Sequence, residues 1–181
     1  MPYVRCASCG LTTFAVRSCA WAPSCPICDQ VLSGTATDAP DGDGVAATLA
    51  LARSVLEMDV AMVTEVDDSS ETARQVSGEW PGVGSLSGAS IPLEETFCKR
   101  MLEGAIGNVV PDVAADERVR DLQLAKGLGV GAWIGVPMSE SLGRMYVLCC
   151  MARESRPLGE RDVQALRGMA VTLAAQLAPP A

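Results

Sequence analysis

Five of the chain's eight cysteines fall within its first 28 residues, and none of its 181 residues is a histidine. Four of those five read Cys6-x2-Cys9-x15-Cys25-x2-Cys28, a spacing that suits one tetrahedral ion held by four thiolates. Each CxxC turn delivers two ligands from one tight loop. Gly10 follows the first pair, and Pro26 pre-sets the turn of the second. So short a segment cannot bury enough surface to fold unaided, which makes a metal staple a physical requirement. Four cysteines leave no open coordination position, so Zn2+ on Cys6, Cys9, Cys25 and Cys28 is expected to be structural rather than hydrolytic. Iron is the alternative metal, and Cys19 is a spare thiol that could replace one ligand. The missing imidazole excludes Ser-His-Asp and Cys-His catalysis along the whole chain.

Residues 1–32 therefore form one unit. They resemble a zinc ribbon, with strand-prone Thr12, Thr13, Phe14 and Val16 between the knuckles, although the second knuckle is followed by Asp29 where ribbons commonly carry glycine. Residues 33–44 are polar, acidic and interrupted by glycine and proline, and are read as a flexible linker. Residues 45–178 are rich enough in apolar side chains for a packed core: the chain is 49% hydrophobic and 20% charged.

A formal charge of -8 argues against a general binder of nucleic acid or anionic membrane. No run approaches the roughly 18 apolar residues of a membrane span, and the start lacks a charged-then-apolar leader. A cytoplasmic protein is the expectation, and in that reducing compartment paired cysteines are metal ligands rather than disulfides. Arginine outnumbers lysine 12 to 2, a bias that hints at a GC-rich bacterial genome.

Periodicity in 45–178 predicts a helix over 45–58 with Leu49, Leu51, Ala52, Val55 and Leu56 on a broad apolar face, then a hairpin of strands over 59–66 and 72–79. A helical face carrying Phe97, Cys98, Met101 and Leu102 ends near Gly104, and a short helix is expected over 118–126. Strands follow over 132–138 and 143–152. A last helix from about residue 159 has Val163, Leu166, Ala170, Leu173 and Leu177 in one stripe. Helices at both ends of a meandering sheet indicate an α+β fold.

That order contains Ile91-Pro92-Leu93-Glu94-Glu95-Thr96-Phe97-Cys98, Asn108-Val109-Val110-Pro111-Asp112, Gly131-Ala132-Trp133-Ile134-Gly135-Val136-Pro137-Met138 and Gly143-Arg144-Met145-Tyr146-Val147-Leu148-Cys149-Cys150. Together they resemble a GAF domain of bacterial signalling proteins over about 130 residues. The resemblance implies an antiparallel sheet with flanking helices, a small ligand enclosed between the sheet and an inserted segment, and homodimerisation through the terminal helices. By the same resemblance Ile91, Phe97, Cys98, Met101, Val110, Trp133 and Cys149 line the ligand pocket. Without histidine, haem binding is not expected, and the histidine that usually flags bilin attachment is missing.

The pocket residues are apolar or softly polar, so the expected ligand is small, neutral or mildly polar, and bound without catalysis. Adjacent Cys149 and Cys150 point to opposite faces of their strand, so at most one lines the pocket. Lys99 and Arg100 would depress the Cys98 pKa if they folded toward it. Arg118 and Arg120, in a charged stretch after Pro111, are either a solvated face or an anchor for an anionic ligand. The leading functional reading is a non-enzymatic regulator, a ligand-sensing domain whose ribbon docks a protein partner. The alternatives are a cysteine-based redox enzyme or sensor, resembling free methionine sulfoxide reductases, and a nucleic-acid-associated regulator acting through the ribbon. The last is disfavoured because residues 1–32 offer only Arg5 and Arg17 as cations.

Overall fold

The computed structural model describes residues 3–5, 12–14, 41–78, 80, 87–141 and 144–177. By its contacts the chain divides into two units between Gly44 and Val45. In the first, β1 (Tyr3–Arg5) pairs antiparallel with β2 (Thr12–Phe14), Tyr3 opposite Phe14 and Arg5 opposite Thr12. Cys6 and Cys9 stand in sequence between these strands. All four proposed ligands, Cys6, Cys9, Cys25 and Cys28, lie outside the described residues, as does Cys19.

The second unit follows α1 (Asp41–Leu56) with β3 (Val60–Val66) and β4 (Ser70–Gly78), an antiparallel pair closed by a tight turn. Asp67 makes that turn: its carboxylate accepts from the backbone amides of Ser69 at 2.8 Å and Ser70 at 2.7 Å. These bonds favour the charged form and pull its pKa down to about 2. Then come β5 (Ser90–Pro92), a single 3-10 turn (Leu93–Glu95), α2 (Phe97–Leu102), β6 (Val109–Val110) and α3 (Gln123–Leu128). The chain returns through β7 (Ala132–Ser141) and β8 (Arg144–Ala152) and closes with α4 (Glu160–Leu177). Six strands form one antiparallel sheet in the order β5-β4-β3-β8-β7-β6.

The central strands are buried on both faces, so side-chain alternation sorts their residues into two cores. Ala61 and Val63 of β3, Ile134 and Val136 of β7, and Leu148 and Cys150 of β8 face α1 and α4, meeting Leu49, Ala52, Leu166 and Leu173. Val60, Met62, Val147, Cys149, Met151 and Trp133 face the other way, under the segment that carries α2 and α3. The expected opposition of Cys149 and Cys150 is therefore realised.

Boundaries differ from expectation where propensity and tertiary context conflict. The first helix begins at Asp41, four residues early, despite Gly42 and Gly44. A glycine costs a helix about 1 kcal/mol, a weak preference that context overrides. The helix expected over 118–126 is displaced: residues 113–121 make turns, and α3 starts at Gln123 and stops at Gly129, whose left-handed backbone (φ 66°) closes it. No helix among the described residues is long and apolar enough to cross a membrane.

Candidate functional site

Thr96 sets the site. Its side chain accepts from the Lys99 amide (3.2 Å) and donates to the Leu93 carbonyl (2.9 Å), capping α2 and fixing the 3-10 turn before it. The first turn of α2 thereby sends Phe97 and Cys98 down onto the sheet, where both are buried. Phe97 stacks on Trp133 of β7, ring centroids 5.5 Å apart and planes 13° from parallel. The Trp133 ring runs along its own strand over Gly135, which is why that position has no side chain: a Cβ there would lie 2.6 Å from Trp133 Cη2. Asn108 holds the flank, donating from Nδ2 to the Gly135 carbonyl at 2.8 Å and accepting the Gly135 amide on its own carbonyl at 2.9 Å.

Of the residues expected in the pocket, the fold gathers Phe97, Cys98, Met101, Val110, Trp133 and Cys149 into one buried cluster. Ile91 stands apart on β5, half-buried and opposite Glu71. A separate groove of about 560 Å3 opens beside α4, between Ile106, Asn108, Met138, Arg167 and Val171, and of the residues expected in the pocket only Met101 lines it.

Beneath Cys98 lies a polar island in this apolar cluster. Thr64 Oγ1 of β3 is 4.0 Å from the Cys98 Sγ. Contact with the Cys149 thiol, then burial, then the Glu71 carboxylate push the Cys98 pKa well above that of a free thiol. Burial likewise raises Cys150 on the opposite face. Lys99 does not counter this, because it pairs with Glu103 at 2.9 Å and Glu94 at 3.4 Å. The Cys98 and Cys150 thiols are thus held protonated, the less nucleophilic form.

Glu71 was not among the residues the sequence singled out. It is 5% exposed, and its Oε2 has no hydrogen-bond partner in the protein. Leaving a buried acceptor unmet costs about 1–3 kcal/mol. A legible signal exists: Glu71 and Ala73 alternate as the buried residues of β4, but periodicity starts the strand at Thr72, two residues after its true beginning at Ser70.

The charged stretch after Pro111 resolves into local pairs. Arg118 grips Asp116 through Nε (2.8 Å) and Nη2 (2.6 Å), lowering the Asp116 pKa, and Arg120 is ion-paired with Glu117 and Asp121. Neither guanidinium is left to anchor an anion. Among the described residues no group of three or more Cys, Asp or Glu is arranged to hold a metal ion.

The GAF domain family model matches residues 43–177, three quarters of the chain. The chain belongs to the GAF domain family. No curated protein sequence is significantly similar to it. Among solved structures, it is similar to the phycoerythrobilin-bound GAF domain of a cyanobacterial phytochrome (21% identity, covering 77% of this chain and 86% of that one, TM-score 0.60). The GAF domain of an Acinetobacter phosphoenolpyruvate-protein phosphotransferase is also similar (16%, 77% and 83%, TM-score 0.59). So is the free methionine-R-sulfoxide reductase of Neisseria meningitidis in complex with its substrate (19%, 73% and 74%, TM-score 0.56). At these identities the likeness establishes the fold. This GAF domain places its two cores on opposite faces of the sheet, with the polar island confined to the α2 side.

Proposed function

We propose that this GAF domain is a non-enzymatic, cytoplasmic regulator that senses a small molecule on the α2 side of its sheet. The carrying observation is the buried carboxylate of Glu71, which keeps an unmet oxygen in an otherwise apolar cluster beside the protonated thiol of Cys98. Such an arrangement suits binding better than turnover, because it has an acceptor and apolar walls but no activated nucleophile.

The N-terminal unit is proposed to be a zinc ribbon that docks a protein partner. The β1–β2 pairing supports this, since the residues joining the two strands include the first CxxC, as a metal knuckle requires. Cys6, Cys9, Cys25 and Cys28 would hold the ion, whose chemistry there is structural. A homodimer through α1 and α4 is the proposed assembly: Leu51 and Val55 on α1 are each 52% exposed and Val171 on α4 is 73% exposed, leaving apolar surface on both terminal helices.

Native mass spectrometry of freshly purified protein tests these together. The expected species is a dimer of 18.8 kDa chains carrying one zinc each. Zinc should be lost in the Cys25→Ser/Cys28→Ser variant, and the dimer in Val171→Glu. A metal-free monomer would refute both assignments. Sensing is tested separately, by whether small metabolites raise the melting temperature through native-state binding.

A second reading, thiol redox chemistry at Cys98 and Cys149, is favoured by the contact between these two thiols and opposed by the raised pKa of Cys98. Turnover of free methionine sulfoxide that disappears in Cys98→Ser would establish it over the first.

A further inference from the structure

We infer that Glu71 is the polar anchor of the ligand site, and that the ligand presents a small cationic donor, a primary ammonium, attached to an apolar body. This deepens the sensor reading and rests on it. Three observations converge on one spot. First, Glu71 Oε2 is buried without a partner, and a carboxylate oxygen so placed is met best by a charged N–H donor. Second, the Cys98 thiol beside the carboxylate is only a weak, uncharged donor to it, and Thr64 Oγ1 lies 4.0 Å from that thiol. Lys99, the next residue on α2, is held by Glu94 and Glu103. Third, the residues paired with Glu71 on either side are apolar: Val66 on β3 and Ile91 on β5.

The position also suits access. Glu71 lies one strand in from the edge of the sheet, behind the three-residue strand β5, and directly under the 3-10 turn and short α2 that follow it. An ammonium that seats against Oε2 would pass under α2 and tie β4 to it.

Retaining an unmet acceptor for a ligand has a signature that a structural carboxylate lacks: the free protein is less stable for having it. The test uses the full chain and an isosteric series, isoamylamine, isoamyl alcohol and isovalerate, followed by thermal shift. Isoamylamine is expected to raise the melting temperature of the wild type, isoamyl alcohol much less, and isovalerate not at all. In Glu71→Gln the affinity for isoamylamine should fall at least about tenfold, the loss of one charged hydrogen bond. Glu71→Leu, free of ligand, should melt higher than wild type by roughly 5 °C, because the unmet oxygen is gone.

Stabilisation by isovalerate, an amine shift that survives Glu71→Gln, or no response to the amine would overturn the inference. So would a lower melting temperature in ligand-free Glu71→Leu. If that variant fails to fold, Glu71→Gln decides alone. An equal response to alcohol and amine would overturn the anchor while leaving the sensor reading in place.

Discussion

Gly135→Ala is expected to destabilise the GAF domain by about 3 kcal/mol, the upper range for overpacking a well-filled core. The added methyl would stand 2.6 Å from Trp133 Cη2, and the ring has nowhere to go. Trp133 is 1% exposed, with Phe97 stacked on its face and its own strand beneath. Relief would require moving α2 or breaking the hydrogen bonds that tie Gly135 to Asn108. The melting temperature should fall by roughly 10 °C, and the near-ultraviolet circular dichroism of the stacked rings should weaken with it. A fall under about 2 °C, with the aromatic signal intact, would mean that Trp133 does not lie along its strand as described.

On the opposite face, Leu166→Ala should cost about 2–5 kcal/mol, the range for removing a buried leucine from a core that relaxes only partly. Leu166 is fully buried where α4 crosses the sheet, in one cluster with Leu49, Ile134 and Leu148. Its loss strikes the helix-covered core and leaves the island around Glu71 untouched. The expected result is a large drop in the urea midpoint with an unchanged slope, because the surface exposed on unfolding stays the same. An unfolding free energy within about 0.5 kcal/mol of wild type would show that Leu166 contributes little to this core.

The stabilising role of each face was legible to different degrees. The stripe Val163, Leu166, Ala170, Leu173 and Leu177 marked α4 directly, since a period near 3.6 is a local property of the chain; the first four are buried and Leu177 partly so. The alternation at Cys149 and Cys150 separated the two faces of β8 for the same reason. Phe97, Cys98, Met101, Val110, Trp133 and Cys149 were expected together and are found together, because each sits on a segment whose type could be read locally. Ile91 was placed with them by resemblance, but the short edge strand β5 turns it beside Glu71 instead.

Glu71 shows where local reading ends. An acidic residue at a turn looks like a solvated one, and nothing near it in sequence indicates that α2, more than twenty residues on, will cover it. The length, charge and cysteine spacing of the chain determined its division into a cysteine-rich segment and a packed α+β domain, and the absent histidines removed Ser-His-Asp and Cys-His catalysis. Only tertiary structure decided which carboxylate is taken out of water, which arginines are occupied by neighbouring acids, and which thiols meet. The physical reason is that burial and electrostatics depend on what crosses over a residue, whereas periodicity depends on the residue's own segment.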